Sequence, residues 1–142
     1  ISHCFFKLRC ICAVRIPQCE EESTYAPKLE KTMGNIDWTM DADRIERLVR
    51  GLNSWPGTFT KIHGKTVKIW DCDVVCQETL TESQAAAEPG TVIISEKDQL
   101  IVKAGNGALS LRMLQPEGKK NMTVDAYLRG YPIAQGELFT QV

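Results

Sequence analysis

The chain has only two histidines, His3 and His63, and no apolar run of the roughly eighteen residues that a membrane helix needs. No membrane span is expected. The opening ISHCFFKLRCICAVRI is interrupted by Lys7, Arg9 and Arg15, and no small-residue cleavage site follows it, so it does not read as a secretion signal. Gly64-Lys65-Thr66 has the ending of a phosphate-binding loop but lacks its partner glycine: Phe59 stands five positions earlier. Val67, Lys68, Ile69 and Trp70 then favour a strand where such a loop requires a helix, which excludes a nucleotide cradle. Paired C-x2-4-C knuckles are also missing, so Cys10-x-Cys12 with His3 does not make a zinc site. No Ser-His-Asp or Cys-His set falls on a recognisable scaffold. His63 belongs to a hairpin turn, where an exposed structural role is expected, and Asp71 and Asp73, two apart on a strand, read as solvent-facing.

What is present is one domain's worth of chain. At 142 residues and 43% hydrophobic content it can bury a real core. Cys4, Cys10, Cys12 and Cys19 crowd the start and leave Cys72 and Cys76 for the body, a placement that points to reduced thiols rather than a disulfide framework. The net charge of −1 conceals an uneven distribution. Asp73 to Glu96 contains acidic residues and no Lys or Arg, whereas Lys28 to Asp71 and Lys97 to Arg129 each carry a basic excess. An acidic loop can thereby hide two mildly basic faces.

Residues 17–34 mix charge, proline and polar side chains without an apolar period and read as a linker. In DADRIERLVRGLN, Ile45, Leu48, Val49 and Leu52 recur at helical spacing, with Asp41 expected to cap the start through its side chain and Gly51 to end the helix in a left-handed conformation. Arg44, Arg47 and Arg50 share one flank of that helix and form a basic stripe, a candidate for contact with a polyanion as much as for plain solvation. Thr58–Ile62 and Lys65–Ile69 form a hairpin across His63-Gly64. The apolar phase moves from odd to even positions at Trp70, which predicts a β-bulge there with Trp70 in the core. Gln77–Glu88 reads as a mobile loop. Leu100, Val102 and Ala104 alternate toward Gly105-Asn106-Gly107, and Leu109, Leu111 and Met113 alternate away from it, giving a second hairpin. Thr123–Arg129 reads as a short helix, and Gly136–Phe139 as a return to the sheet. The expected fold is mainly β: a small open Greek-key β-barrel, OB-like, with one N-terminal helix and a short helix near the C-terminus.

Six motifs then occur in order: STYAPKLEK, GNIDW, RLVRGLNSWPGTFT, GKTVKIW, PGTV and LQPEGKKNM. Together they resemble the C-terminal domain and preceding linker of methionyl-tRNA formyltransferase, from about Pro17 to the end. That family transfers a formyl group from 10-formyltetrahydrofolate to initiator methionyl-tRNA. Its chemistry resides in an N-terminal domain with an Asn-His-Asp set and a His-x-Ser-Leu-Leu-Pro motif, neither of which occurs here. The resemblance implies a fragment, inactive alone, with residues 1–16 unmatched, 17–34 as interdomain linker and 35–142 as the barrel. It implies no cofactor in this chain, a bacterial cytoplasmic location, and two partners: the initiator tRNA backbone and the catalytic domain. Lys28 and Lys31 match the family's basic linker, Arg47 and Arg50 its helix motif, and Lys119 and Lys120 its Gly-Lys-Lys turn. Residues of this kind contact phosphates by charge, and an RNA backbone held in this way would also meet Lys61 or Lys68 on the sheet surface. The alternative is a barrel that supports a formyltransferase or hydrolase acting on a small molecule, with no nucleic acid involved.

Overall fold

A computed structural model of the chain describes residue 21 and residues 24–142. The unmatched segment 1–16, the first part of the expected linker, His3 and the four leading cysteines lie outside the described residues. From residue 24 the chain runs exposed to a 3-10 turn, Lys31–Gly34, which packs against the first helix and first strand. The elements that follow are α1 (Ala42–Leu52), β1 (Thr58–Ile62), β2 (Lys65–Val75), α2 (Glu82–Ala85), β3 (Val92–Ser95), β4 (Leu100–Lys103), β5 (Ala108–Pro116), β6 (Met122–Thr123) and α3 (Val124–Gly130).

The strands form one antiparallel sheet in the order β1-β2-β5-β4-β3, with β6 beside β5. Three consecutive strands, with β2 returning across a long connection to lie beside the last of them, make the expected Greek key. The sheet is open, and the C-terminal segment spans its two edges. Lys61 and Thr140 exchange backbone hydrogen bonds on β1 at 2.8 and 2.9 Å, while the Val92 and Phe139 N–H groups donate to Glu137 and Gly90 on the β3 side. Phe139 anchors this strap, buried against Trp38 at a ring separation of 5.6 Å.

Alternation fixes which side chains face inward. Thr58, Thr60 and Ile62 of β1, Val67 and Ile69 of β2, and Leu109, Leu111 and Leu114 of β5 are buried, and α1 closes over them with Ile45, Val49 and Leu52. Phe59, Lys61, Thr66 and Lys68 consequently point outward. The His63-Gly64 turn has both residues left-handed, at φ 51° and 72°, the geometry that a two-residue hairpin needs to match strand twist. His63 is half-exposed there, with Nε2 2.7 Å from a Glu137 carboxylate oxygen.

Four local expectations are corrected. The Asp41 side chain makes no capping bond; its carbonyl accepts from Arg44 and Ile45, and the Ala42 N–H donates to Asn106 O at 2.9 Å. Gly51 lies inside α1, because Leu52 is still buried on the helical face and its carbonyl finds the Gly57 N–H at 2.9 Å; the left-handed residue is Gly57. The bulge is real but falls around Asp71, so the even phase begins at Cys72 and Trp70 stays outside the core. Gln77–Glu88 holds a 3-10 turn, Gln77–Thr79, and α2, whose entry is fixed by the Thr81 N–H donating to Gln84 Oε1 at 3.0 Å.

Candidate nucleic-acid interface

Lys68 sits on the outward face of β2, opposite Gln115 of β5. Beyond Gln115 the chain turns at Pro116-Glu117-Gly118-Lys119, where Gly118 takes φ 71° and the Lys119 N–H returns to Pro116 O at 3.1 Å. Thr66, Lys68 and Gln115, with Pro116, Glu117 and Gly118 of this turn, line a groove of about 330 Å³, so one carboxylate faces it beside Lys68. Its geometry is held by one amide: Trp70 Nε1 donates to Gln115 Oε1 at 2.8 Å, and Gln115 Nε2 donates to Lys119 O at 2.6 Å. A neutral side chain bonded at both ends fixes the backbone of the lysine turn relative to the Trp70 ring without consuming either lysine's charge. Lys119 and Lys120 are exposed and make no ion pair to a described carboxylate.

Asn53 and Ser54, just past the end of α1, meet Lys68 and Trp70 from the other side, with Asn53 Nδ2 donating to Trp70 O at 3.3 Å. The helix end and the groove are therefore joined. Arg44, Arg47 and Arg50 are exposed on α1, but Arg50 is held by Glu46 at 3.0 Å, and none of the three lines the groove. Lys31 lies in the 3-10 turn against α1 and β1, and Lys28 is exposed on the segment leading to it. Lys61 is half-buried beside the C-terminal strap. The structure thus brings Lys68 together with Pro116, Glu117 and Gly118 of the turn that continues into Lys119 and Lys120, and none of Lys28, Lys31, Lys61 or the arginines lines the groove.

The basic excess read for Lys97–Arg129 shrinks once side chains are placed. Lys103 is buried, Arg112 pairs with Asp73, and Arg129 pairs with Asp125 at 3.0 Å. The Thr123 hydroxyl also donates to Asp125, and together with Arg129 it holds that carboxyl below its ordinary pKa. The two residues that build the groove, Trp70 and Gln115, are not among the residues that sequence reasoning singles out for the site. A glutamine flanked by the buried residues Leu114 and Pro116 on an alternating strand is the available signal for Gln115, since it has to face outward.

The described residues contain no group of three or more His, Cys, Asp or Glu able to hold a metal ion and no helix long and apolar enough to cross a membrane. Burial pushes the Cys72 thiol up to about 12, with Glu46, Asp71 and Asp73 adding to the shift. That removes it from nucleophilic use near neutrality.

An antiparallel open barrel with this sequence defines a class, and residues 28–132 match the family model for the formyl transferase C-terminal domain. The chain belongs to that family. It is 41% identical over 124 residues to the methionyl-tRNA formyltransferase of Agathobacter rectalis, covering 87% of this chain and 38% of that protein. It is 45% identical over 121 residues to the methionyl-tRNA formyltransferase of Caldanaerobacter subterraneus, covering 85% and 37%. The chain spans about two fifths of the length of these curated relatives. Among solved structures, HypX from Aquifex aeolicus in complex with tetrahydrofolic acid superposes with a TM-score of 0.59 at 18% identity, over 90% of this chain and 24% of that one. At that identity the likeness is one of fold.

Proposed function

We propose that this domain holds initiator methionyl-tRNA by its sugar–phosphate backbone, so that a formyltransferase domain using 10-formyltetrahydrofolate can reach the aminoacyl end. The observation that carries the reading is the groove lined by Lys68 and by Pro116, Glu117 and Gly118, with Lys119 and Lys120 following in the same turn; Lys68, Lys119 and Lys120 have no ion pair among the described residues, and Trp70 and Gln115 fix the turn that carries the last two. Phosphate contacts need positive charge in a defined place and no base-reading hydrogen bonds. Arg44 and Arg47 of α1, with Lys28, Lys31 and Lys61, widen the favourable field, and Arg50 contributes less because Glu46 neutralises it. In this reading residues 17–34 are the linker and 35–142 the positioning barrel of a bacterial cytoplasmic enzyme of translation initiation. The domain carries no formyl-transfer machinery of its own.

Titration of the chain with tRNA at low and moderate salt tests this. With a net charge of −1, binding is expected at about 10⁻⁴ M or weaker at physiological salt, tightening as salt falls. Binding that ignores salt, or none at low salt, would favour a barrel that only supports a formyltransferase acting on a small molecule. The same chain mixed with formyl donor and methionyl-tRNA is expected to give no turnover.

A further inference from the structure

Lys103, the last residue of β4, is 2% exposed and has no carboxylate partner among the described residues. Its Nζ donates to backbone carbonyls of the following loop: Ala104 O at 2.6 Å, Gly107 O at 3.2 Å and Gly105 O at 3.4 Å. An ammonium carries three N–H donors and no acceptor, so three converging carbonyls match it and a tethered cation fills the cradle. Burial holds the amine below the ordinary lysine pKa, so keeping a charge here costs stability that the carbonyl contacts must offset.

The other faces of the loop carry the chain segments that launch α1 and the acidic crossover. Gly105 N–H donates to Met40 O at 2.9 Å, Asn106 O accepts the Ala42 N–H at 2.9 Å, and Gly107 N–H donates to Gln77 Oε1 at 2.7 Å. A Cβ on Gly105 would overlap the Thr39 carbonyl, so the two backbones are in direct contact. The first helical N–H of α1 is therefore satisfied by this loop and not by its own N-cap side chain.

We propose that Lys103 is a positioning residue whose ammonium, acting as a tethered cation in the Ala104–Gly107 carbonyl cradle, shapes the seat that fixes the start of α1. The presentation of Arg44 and Arg47 then depends on a charge buried on the far side of the loop. That consequence for RNA contact rests on the function proposed above; the seating of α1 does not, and it is measurable in the free chain without RNA.

The test is site-resolved amide exchange in the 142-residue chain, comparing wild type, Lys103→Met and Lys103→Ala. Lys103→Met keeps the stem and removes the charge; exchange at Ala42 and Gly105 is expected to accelerate roughly tenfold or more, with the β1–β2 hairpin unchanged. In Lys103→Ala, n-propylammonium is expected to restore protection at the two amides in a saturable manner, whereas tetramethylammonium, which has no N–H to donate, leaves them fast. Wild-type exchange in Lys103→Met overturns the proposal. Equal restoration by the two cations overturns it as well, because the effect is then ionic strength and not occupancy of the cradle. Should Lys103→Ala fail to fold, Lys103→Met alone decides the claim: accelerated exchange at Ala42 and Gly105 supports the seat, and wild-type exchange overturns it.

Discussion

Trp38 Nε1 donates to the Thr60 hydroxyl at 3.0 Å inside the core, and that hydroxyl donates in turn to the Thr140 carbonyl at 2.9 Å. One hydroxyl thus joins the segment before α1, strand β1 and the C-terminal strap. Replacing Thr60 by Val keeps the shape but strands the indole N–H, while the Thr140 carbonyl keeps only the Lys61 N–H. Thr60→Val is expected to lose about 1–3 kcal/mol in urea unfolding, and Thr60→Ser substantially less. Limited proteolysis should then release the C-terminal strap first in the Val variant.

Two glycines separate local from tertiary demands. Gly51 lies inside α1 with open space where a Cβ would go, so Gly51→Ala is expected to stabilise by about 0.5–1 kcal/mol. Gly105 meets the Thr39 backbone directly, and Gly105→Ala is expected to cost about 2–4 kcal/mol. Thermal denaturation of the pair should move in opposite directions.

Most of the barrel is legible in the sequence because its strands obey a period of two: both hairpins, the bulge near Trp70 and the return at Phe139 follow from apolar alternation and from glycine punctuation. The features that depart from it are set by tertiary partners. The Asp41 cap is displaced by a carbonyl arriving from Asn106, and the stop at Gly51 is overridden by burial of Leu52. Lys103 reads as surface charge in any sequence window, because nothing local reveals three carbonyls folding around its amine. Within the candidate site, the lysines follow from motif and pattern, whereas the Trp70–Gln115–Lys119 linkage depends on registering β2 with β5.

Cys72 and Cys76 are expected to differ sharply in chemistry. Cys76 is exposed and Cys72 buried, so alkylation followed by peptide mapping should modify Cys76 in the folded chain and Cys72 only after unfolding. The unfolded Cys72 thiol begins to lose its proton near pH 9, while the folded one keeps it to about 12. The unfolded state then binds fewer protons, so stability falls as pH rises through that window, by at most about 1.4 kcal/mol per pH unit from this group. Cys72→Ala is expected to flatten that part of the pH–stability curve; an unchanged slope would remove the thiol as its cause.

Gln115 is expected to matter through the position that it gives the lysine turn. Gln115→Leu removes both the acceptor for Trp70 Nε1 and the donor to Lys119 O, so the lysine turn loses its fixed position while all charges remain. Affinity for tRNA should drop several-fold, about 1 kcal/mol, with little change in the salt dependence. Equal affinity in the variant would mean that the turn needs no such support.

The salt slope of tRNA binding tests the central claim most directly. Log K against log salt, measured for the wild type and for Lys68→Ala/Lys119→Ala/Lys120→Ala, reports how many phosphates these side chains neutralise. The slope is predicted to become shallower by about 0.7–0.9 for each phosphate that is no longer neutralised, roughly two to three units for the triple variant, with the fold intact. An unchanged slope and affinity in a folded triple variant would contradict the assignment of this groove to the RNA backbone.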